Sequence, residues 1–411
     1  MAEPISKSVS GVEIAKAFSE VILTPDFWEK HWERWPLHHQ AANGLAGNRL
    51  PEVLTASHIA DLINRSGSSV KMFRKGVSYN EDNFLVAYLD GASIIVNQAE
   101  RYQSVLYEMC KALAAMHFHH VFAVVYLTPP NSFAVRLHND DQDVFLLQVW
   151  GKKHWTIRNA PTLLPYTEEM LGKDELVPPE LVGDPIMSFD MQAGDVLYIP
   201  RGFLHEASTS AEPSLHITVT MPTSDYCWGV QLIKHLMQSL HSRDTPPEIR
   251  KICETQLVGP EGGLDDASLD VHIQDILKHW SSNLSAESVL EAFEARMERT
   301  NEGQDRAHQK AMSRELFPTV TDENRIRLMC GVTCWCEENS ELAVFKRDNQ
   351  RLELPIARSS SALIRSLTAR PQKVNTLPCA DPFERLCVLR LLHQQGVVQV
   401  FLRDADERTV E

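Results

Sequence analysis

Between about residues 70 and 222 the chain is written in short apolar, β-branched runs separated by turn residues. The clearest runs are 121–127, 144–150, 155–158, 196–199 and 216–220, and one helical stretch, roughly 100–116, interrupts them. Many short strands without alternating helices predict an antiparallel barrel or jelly roll, not a parallel α/β sheet.

On either side of that stretch the apolar positions fall at helical spacing. Residues 1–65 read mostly as helix, with a start signal at Pro25-Asp26. Phe27, Trp28, Trp32 and Trp35 cluster at helical intervals, as side chains packing onto a neighbouring sheet do. Beyond Pro222, Leu232, Ile233, Leu236, Met237 and Leu240 form one apolar stripe, and Val289, Leu290, Phe293 and Met297 form another. A turn at 259–263 separates them. The two stripes exceed what one short helical region can bury, which predicts pairing with a second copy. Further on, the runs 343–345 and 351–354 flank Asp348-Asn349 as a hairpin. Asp381-Pro382 caps a helix carrying Phe383, Leu386, Leu389 and Leu392, which stops at Gly396 before a strand at 397–401. Helices plus a hairpin at this scale predict a small winged-helix-like module.

Composition narrows the class. A chain of 411 residues is too long for one ordinary core, so two or three domains are expected. No apolar run approaches the ~18 residues that a membrane span needs, and the first ten residues lack a basic-then-apolar signal pattern. No membrane association is therefore expected, and the expected location is intracellular, in the nucleus or nucleolus or in the cytoplasm. The net charge of −15, from 40 Lys+Arg against 55 Asp+Glu, disfavours non-specific attraction to nucleic acid and favours basic protein substrates. The tail carries no dense basic stripe, so direct nucleic-acid binding is not expected there. Eight cysteines in a chain of this length read as reduced thiols. Cys330, Cys334 and Cys336 are too irregularly spaced for a zinc site.

The chemistry concentrates at Leu137-His138-Asn139-Asp140-Asp141. On a strand, residues two apart share a face, so His138 and Asp140 converge while Asn139 points away. A third ligand must come from elsewhere. His205 qualifies, because it follows the turn, strand and turn of residues 194–202; His216 competes for the same role. Two imidazoles and one carboxylate form the facial triad of non-haem Fe(II) oxygenases, with positions left open for co-substrate and O2. The local trio His117, His119 and His120 sits at a helix-to-strand transition and reads as structural. In the run 150–157, Lys153 shares a strand face with Trp155 and Ile157, whereas Lys152 points the other way. A lysine on an inward barrel face is costly unless paired. The far carboxylate of 2-oxoglutarate would be such a partner, and a hydroxyl such as Thr218 could add a hydrogen bond.

These segments carry a resemblance. His138-Asn139-Asp140-Asp141, followed by residues 143–148 and Gly151-Lys152-Lys153-His154-Trp155, resembles the JmjC ribosomal oxygenase family. So does the run 193–205 ending in His205, and so do Phe27…Trp35-Pro36-Leu37 and Tyr88-Leu89-Asp90-Gly91. The resemblance implies an α+β chain: a double-stranded β-helix (cupin/JmjC) barrel with N-terminal helices over 1–224, a helical dimerisation region over 225–310 and a winged-helix-like domain over 311–411. It implies Fe(II) at His138, Asp140 and His205, the 2-oxoglutarate carboxylate at Lys153, and Tyr126 and Thr218 lining the co-substrate or substrate pocket. Lysine at 153 is similar to the histidyl-hydroxylating branch; the arginyl branch has arginine there. The chain departs from the family at Arg136-Leu137 and at Val124, near the pocket mouth.

The expected function is that of an Fe(II)- and 2-oxoglutarate-dependent dioxygenase, using O2 as second co-substrate and hydroxylating a ribosomal protein side chain, histidine before arginine. A JmjC histone lysyl demethylase is the rival within the same iron chemistry. A non-catalytic barrel used as an interaction scaffold is the rival outside it.

Overall fold

The computed structural model describes residues 9–41, 47–173, 175–240, 243, 245–247, 250, 266–316, 319–347 and 350–401. The turn expected at 259–263, and Asp348-Asn349 of the expected hairpin, lie outside the described residues. By internal contacts the chain forms two compact units, Met1–Met221 with Gln304–Glu411, and Pro222–Gly303.

In the first unit, β1 (Leu37–His39), β2 (Val70–Arg74), β3 (Val77–Ser78), β4 (Ser93–Val96), β5 (Phe122–Thr128), β6 (Asp143–Arg158), β7 (Pro185–Gln192), β8 (Val196–Ile199), β9 (His205–Ser208) and β10 (Ser214–Met221) join in one ten-stranded sheet. Its main path runs β1-β8-β6-β10-β5-β4-β2-β3. The long strand β6 makes it a barrel. Its first half pairs with β8 and β10, and its second half, from Lys152, pairs with β7 and β9. Gly151 is the corner: its φ is +66°, and a Cβ there would lie 1.8 Å from the Pro213 carbonyl oxygen, so no side chain fits. The pattern predicts two strands, 144–150 and 155–158. The structure makes one, because Gly151 bends the chain while its neighbours stay in the ladder.

Both faces of the first half of β6 are buried. Phe145, Leu147 and Val149 join the cluster formed with the N-terminal helices, while Val144, Leu146, Trp155 and Ile157 belong to a second cluster inside the barrel. This explains why the run reads as almost continuously apolar. The helices are α1 (Gly11–Ile22), α2 (Pro25–Lys30), α3 (Ala56–Ser66), α4 (Phe84–Leu89) and α5 (Ser104–Leu113). The helix expected over 100–116 is broken into a 3-10 turn at Ala99–Arg101, α5 and a π turn at Ala114–Phe118. The Gln103 side chain restarts it by accepting from the Val105 and Leu106 amides. Thr24 caps α2, which seats Phe27 edge-on against Tyr198 at 5.0 Å. Trp32 stacks on Tyr198 at 6.0 Å. Trp35 lies about half exposed beside Phe203 instead of joining that cluster.

The second unit contains α6 (Thr223–Tyr226), α7 (Trp228–Leu240), α8 (Asp266–Asn283) and most of α9 (Ala286–Met312). Within it Tyr226 meets Phe293 edge-on at 5.7 Å. Ile233 and Met237 on α7, and Val271 and Leu277 on α8, are exposed.

The rest of the chain adds β11 (Arg325–Leu328), β12 (Val332–Trp335), β13 (Leu342–Arg347), β14 (Gln350–Pro355), β15 (Gln372–Lys373) and β16 (Val398–Phe401), in sheets ordered β15-β11-β16 and β12-β13-β14. Helix α10 (Ser361–Ser366) precedes α11 (Pro382–Gln394). Asp381 accepts from the Phe383 amide, capping α11 as its sequence predicts, and also accepts from the Tyr88 hydroxyl of α4 at 2.5 Å. Burial holds the Asp381 carboxyl above its ordinary range despite these donors.

Candidate metal centre and its cavity

The loop after β5 returns to the barrel at His138, which forms an isolated antiparallel bridge with His205, the first residue of β9. The two backbones exchange hydrogen bonds of 3.2 Å and 2.8 Å. The strand expected to carry both His138 and Asp140 is absent. Asp140 lies in the loop beyond the bridge, and its carbonyl accepts from the Gly202 amide at 2.9 Å. Asn139 does point away, but into protein rather than solvent. It is fully buried, its Oδ1 accepts from the Leu171 amide at 2.6 Å and its Nδ2 donates to the Gly202 carbonyl at 3.4 Å. Loop convergence therefore comes from backbone and Asn139 clamps, not from strand alternation.

The three side chains meet as expected. Asp140 Oδ1 is 3.8 Å from His138 Nε2, and Oδ2 is 3.5 Å from His205 Nε2. Each imidazole is oriented by a carbonyl two residues before it: His138 Nδ1 lies 2.8 Å from the Arg136 oxygen, and His205 Nδ1 lies 3.0 Å from the Phe203 oxygen. A carbonyl only accepts, so the proton sits on Nδ1 and each Nε2 turns a lone pair toward Asp140. Burial lowers both imidazoles below their ordinary range, the His138 ring strongly, which keeps them neutral. Burial works to raise Asp140, but the ammonium of Lys173, 2.5 Å from Oδ1, outweighs it and holds the carboxylate ionised. Neutral, oriented imidazoles beside an ionised carboxylate fit a divalent metal such as Fe(II). Among the described residues, His138, Asp140 and His205 are the one grouping of such donors within 4.8 Å of one another.

The triad opens into a cavity that Lys153, Tyr126, Thr218 and His216 line too. All the sequence-predicted site residues are thus brought together. Lys153 is 3% exposed, while its neighbour Lys152 turns outward to Asp190 at 3.0 Å. Lys153 Nζ donates to Thr128 Oγ1 at 3.2 Å and lies 5.7 Å from the Trp155 ring centre. Burial pushes it down to about 7. His216 stacks on Tyr126 at 4.8 Å and stands outside the triad. Among the discounted groups, His117 lies against Trp28 at 6.2 Å, and the thiols of Cys330, Cys334 and Cys336 are free.

Sequence reasoning missed Thr128, Asn139 and Lys173. Thr128 was within reach of it, since strand alternation puts it in phase with Tyr126. Lys173 carries no local signal, because it meets Asp140 across 33 positions of chain.

A barrel bent at the middle of one long strand, with a two-histidine, one-carboxylate donor set at its open end, defines a cupin-type metal-binding fold. Residues 96–227 match the JmjC domain family. It is 31% identical over 241 residues to the "Bifunctional lysine-specific demethylase and histidyl-hydroxylase NO66" of Culex quinquefasciatus, covering 53% of this chain and 36% of that one. The protein of the same name from Dictyostelium discoideum is 35% identical over 158 residues, covering 37% and 29%. The match spans little more than a third of the length of the curated relative from Culex quinquefasciatus. Among solved structures, the ribosomal oxygenase YcfD from Escherichia coli, in complex with cobalt and 2-oxoglutarate, superposes with a TM-score of 0.43 at 14% identity, over 92% of this chain and 97% of that one.

Proposed function

We propose that the chain is an Fe(II)- and 2-oxoglutarate-dependent oxygenase that hydroxylates a protein side chain, with histidine of a ribosomal protein as the preferred target. One observation carries this reading: a two-histidine, one-carboxylate donor set shares its cavity with a buried lysine that no carboxylate pairs among the described residues. An uncompensated buried ammonium is costly, and a dicarboxylate co-substrate removes that cost. His138, Asp140 and His205 would hold the iron, which supplies oxygen activation coupled to conversion of 2-oxoglutarate into succinate. Lys153, braced by Thr128, would bind the far carboxylate. Val144, Leu146 and Trp155 wall the cavity with apolar surface and limit water near the reacting carbon.

Histidine is favoured because Lys153 matches the histidyl branch of the family that the motifs resemble, and because the curated relatives are named histidyl-hydroxylases. The same names include lysine-specific demethylation, which makes an N-methyl lysine the second reading. Arginine is the third. The exposed Arg136 follows Ala134 and Val135, which line the cavity, and its carbonyl is already used by His138. We read 225–310 as a dimerisation region, supported by the exposed apolar residues of α7 and α8, and 311–411 as a winged-helix-like module. No helix among the described residues is long and apolar enough to cross a membrane.

The test offers histidine- and arginine-containing ribosomal peptides and methylated histone peptides to the iron-loaded protein, reading succinate, formaldehyde and peptide mass. A gain of one oxygen on histidine supports the proposal. A gain on arginine moves it to the arginyl branch. Formaldehyde with loss of methyl groups and no oxygen gain overturns the hydroxylase reading, and no succinate with any peptide leaves the scaffold alternative.

A further inference from the structure

Lys173 belongs to the loop between β6 and β7, and that loop is fastened to the metal-ligand segment at four successive points. Thr167 donates to Asp141 at 2.6 Å. Leu171 exchanges two hydrogen bonds with Asn139, its amide donating to Oδ1 and its carbonyl accepting from the Asn139 amide at 3.2 Å. Gly172, at φ +78°, lies so close to His138 that a Cβ there would stand 2.1 Å from the Leu137 oxygen and 2.8 Å from His138 Cα. Lys173 then reaches Asp140 Oδ1 at 2.5 Å.

We propose that Lys173 is a positioning residue for the metal: it holds one oxygen of Asp140 so that the carboxylate presents the other to the ion. This rests on the metal-binding reading of the triad. The alternative is that Lys173 is a competitor which a metal must evict. Geometry favours positioning. Lys173 engages Oδ1 alone, while Oδ2 stays 3.5 Å from the lone-pair nitrogen of His205. The strap is also held by Asn139 and Thr167, so Lys173 need not leave for Oδ2 to bind. A carboxylate on a loop, with no strand ladder around it, has freedom to rotate, and an outer partner that removes such freedom typically contributes 10–100-fold to metal affinity.

The experiment titrates the full chain, purified metal-free, with Co(II) and follows visible absorption. Asp140→Ala should abolish the Co(II) band. Lys173→Met should weaken Co(II) binding by about 10–100-fold and alter the band, because the carboxylate can now rotate or chelate. Lys173→Arg should restore both. Gly172→Ala, which lifts the strap while keeping the lysine, should weaken binding as Lys173→Met does. Lys173→Met with unchanged affinity and band, or with tighter binding, overturns the inference while leaving the metal reading intact. Retention of the band by Asp140→Ala sinks the metal reading itself.

Discussion

His138 and His205 are joined by an antiparallel bridge, and their imidazole centres stand 4.3 Å apart. That single bridge turns two segments 67 positions apart in the numbering into one rigid edge, with both lone pairs facing Asp140. Because each ring is also held by a carbonyl, little reorganisation is needed when a cation arrives.

The first consequence concerns metal loading. Asp140→Ala removes the only anionic donor of the set, and His205→Ala removes one of its two nitrogens, so both should lose bound iron and succinate formation. His216→Ala should keep its metal, since His216 stacks on Tyr126 and lies outside the triad. Metal content by elemental analysis decides it. Iron lost from His216→Ala and kept by His205→Ala would reverse the assignment.

A second prediction concerns the co-substrate. Lys153→Ala should weaken 2-oxoglutarate by about two to three orders of magnitude while metal still binds, because a buried charge pair loses one partner. Burial pushes Lys153 down to about 7, and a bound carboxylate must raise it again. Above pH 7, 2-oxoglutarate binding should therefore take up a proton, seen by calorimetry in buffers of different ionisation enthalpy. Binding with no proton uptake at pH 8 would refute this.

Stability of the ligand-free protein should follow the same group. In the unfolded chain a lysine stays protonated to about pH 10.4, so between about pH 7 and 10 the unfolded state binds more protons. Folding stability contributed at this site accordingly rises with pH across that window and is lost below it. Relative to Lys153→Met, the wild-type chain should gain on the order of a few kcal/mol from pH 7 to pH 10. Urea titrations of both proteins at matched pH measure the difference, and parallel curves would contradict it.

The corner of β6 offers a fold test. Gly151→Ala meets both a left-handed backbone and the Pro213 oxygen, and should cost about 2–4 kcal/mol, more than a left-handed conformation alone. The denaturant midpoint should fall accordingly. A midpoint within error of wild type would show that the corner can relax.

Exposed Ile233 and Met237 on α7, with Val271 and Leu277 on α8, lead us to expect self-association of the full chain. Light scattering should give a dimer mass, and Ile233→Glu with Met237→Glu should shift it to the monomer. A wild-type monomer at working concentration would dismiss the dimer.

Local pattern alone was enough for most of the strand runs, the helix start at Pro25-Asp26, the Asp381 cap, the inward face of Lys153 and the types of residue at the candidate metal centre. Each depends on neighbours one to four positions away, where the alternation of a strand or the turn of a helix is fixed by backbone geometry. The tertiary structure decided what depends on distant segments meeting. It made one strand of two runs, through the bend at Gly151, where the Pro213 carbonyl leaves no space for a side chain. It placed Asp140 on a loop and turned it by Asn139 and Gly202. It set His205 beside His138 through their bridge and His216 against Tyr126, and it brought Lys173 to Asp140 across 33 positions. Loop closure has no period for a sequence to display, so contacts of that kind become visible only when the barrel has brought their ends together.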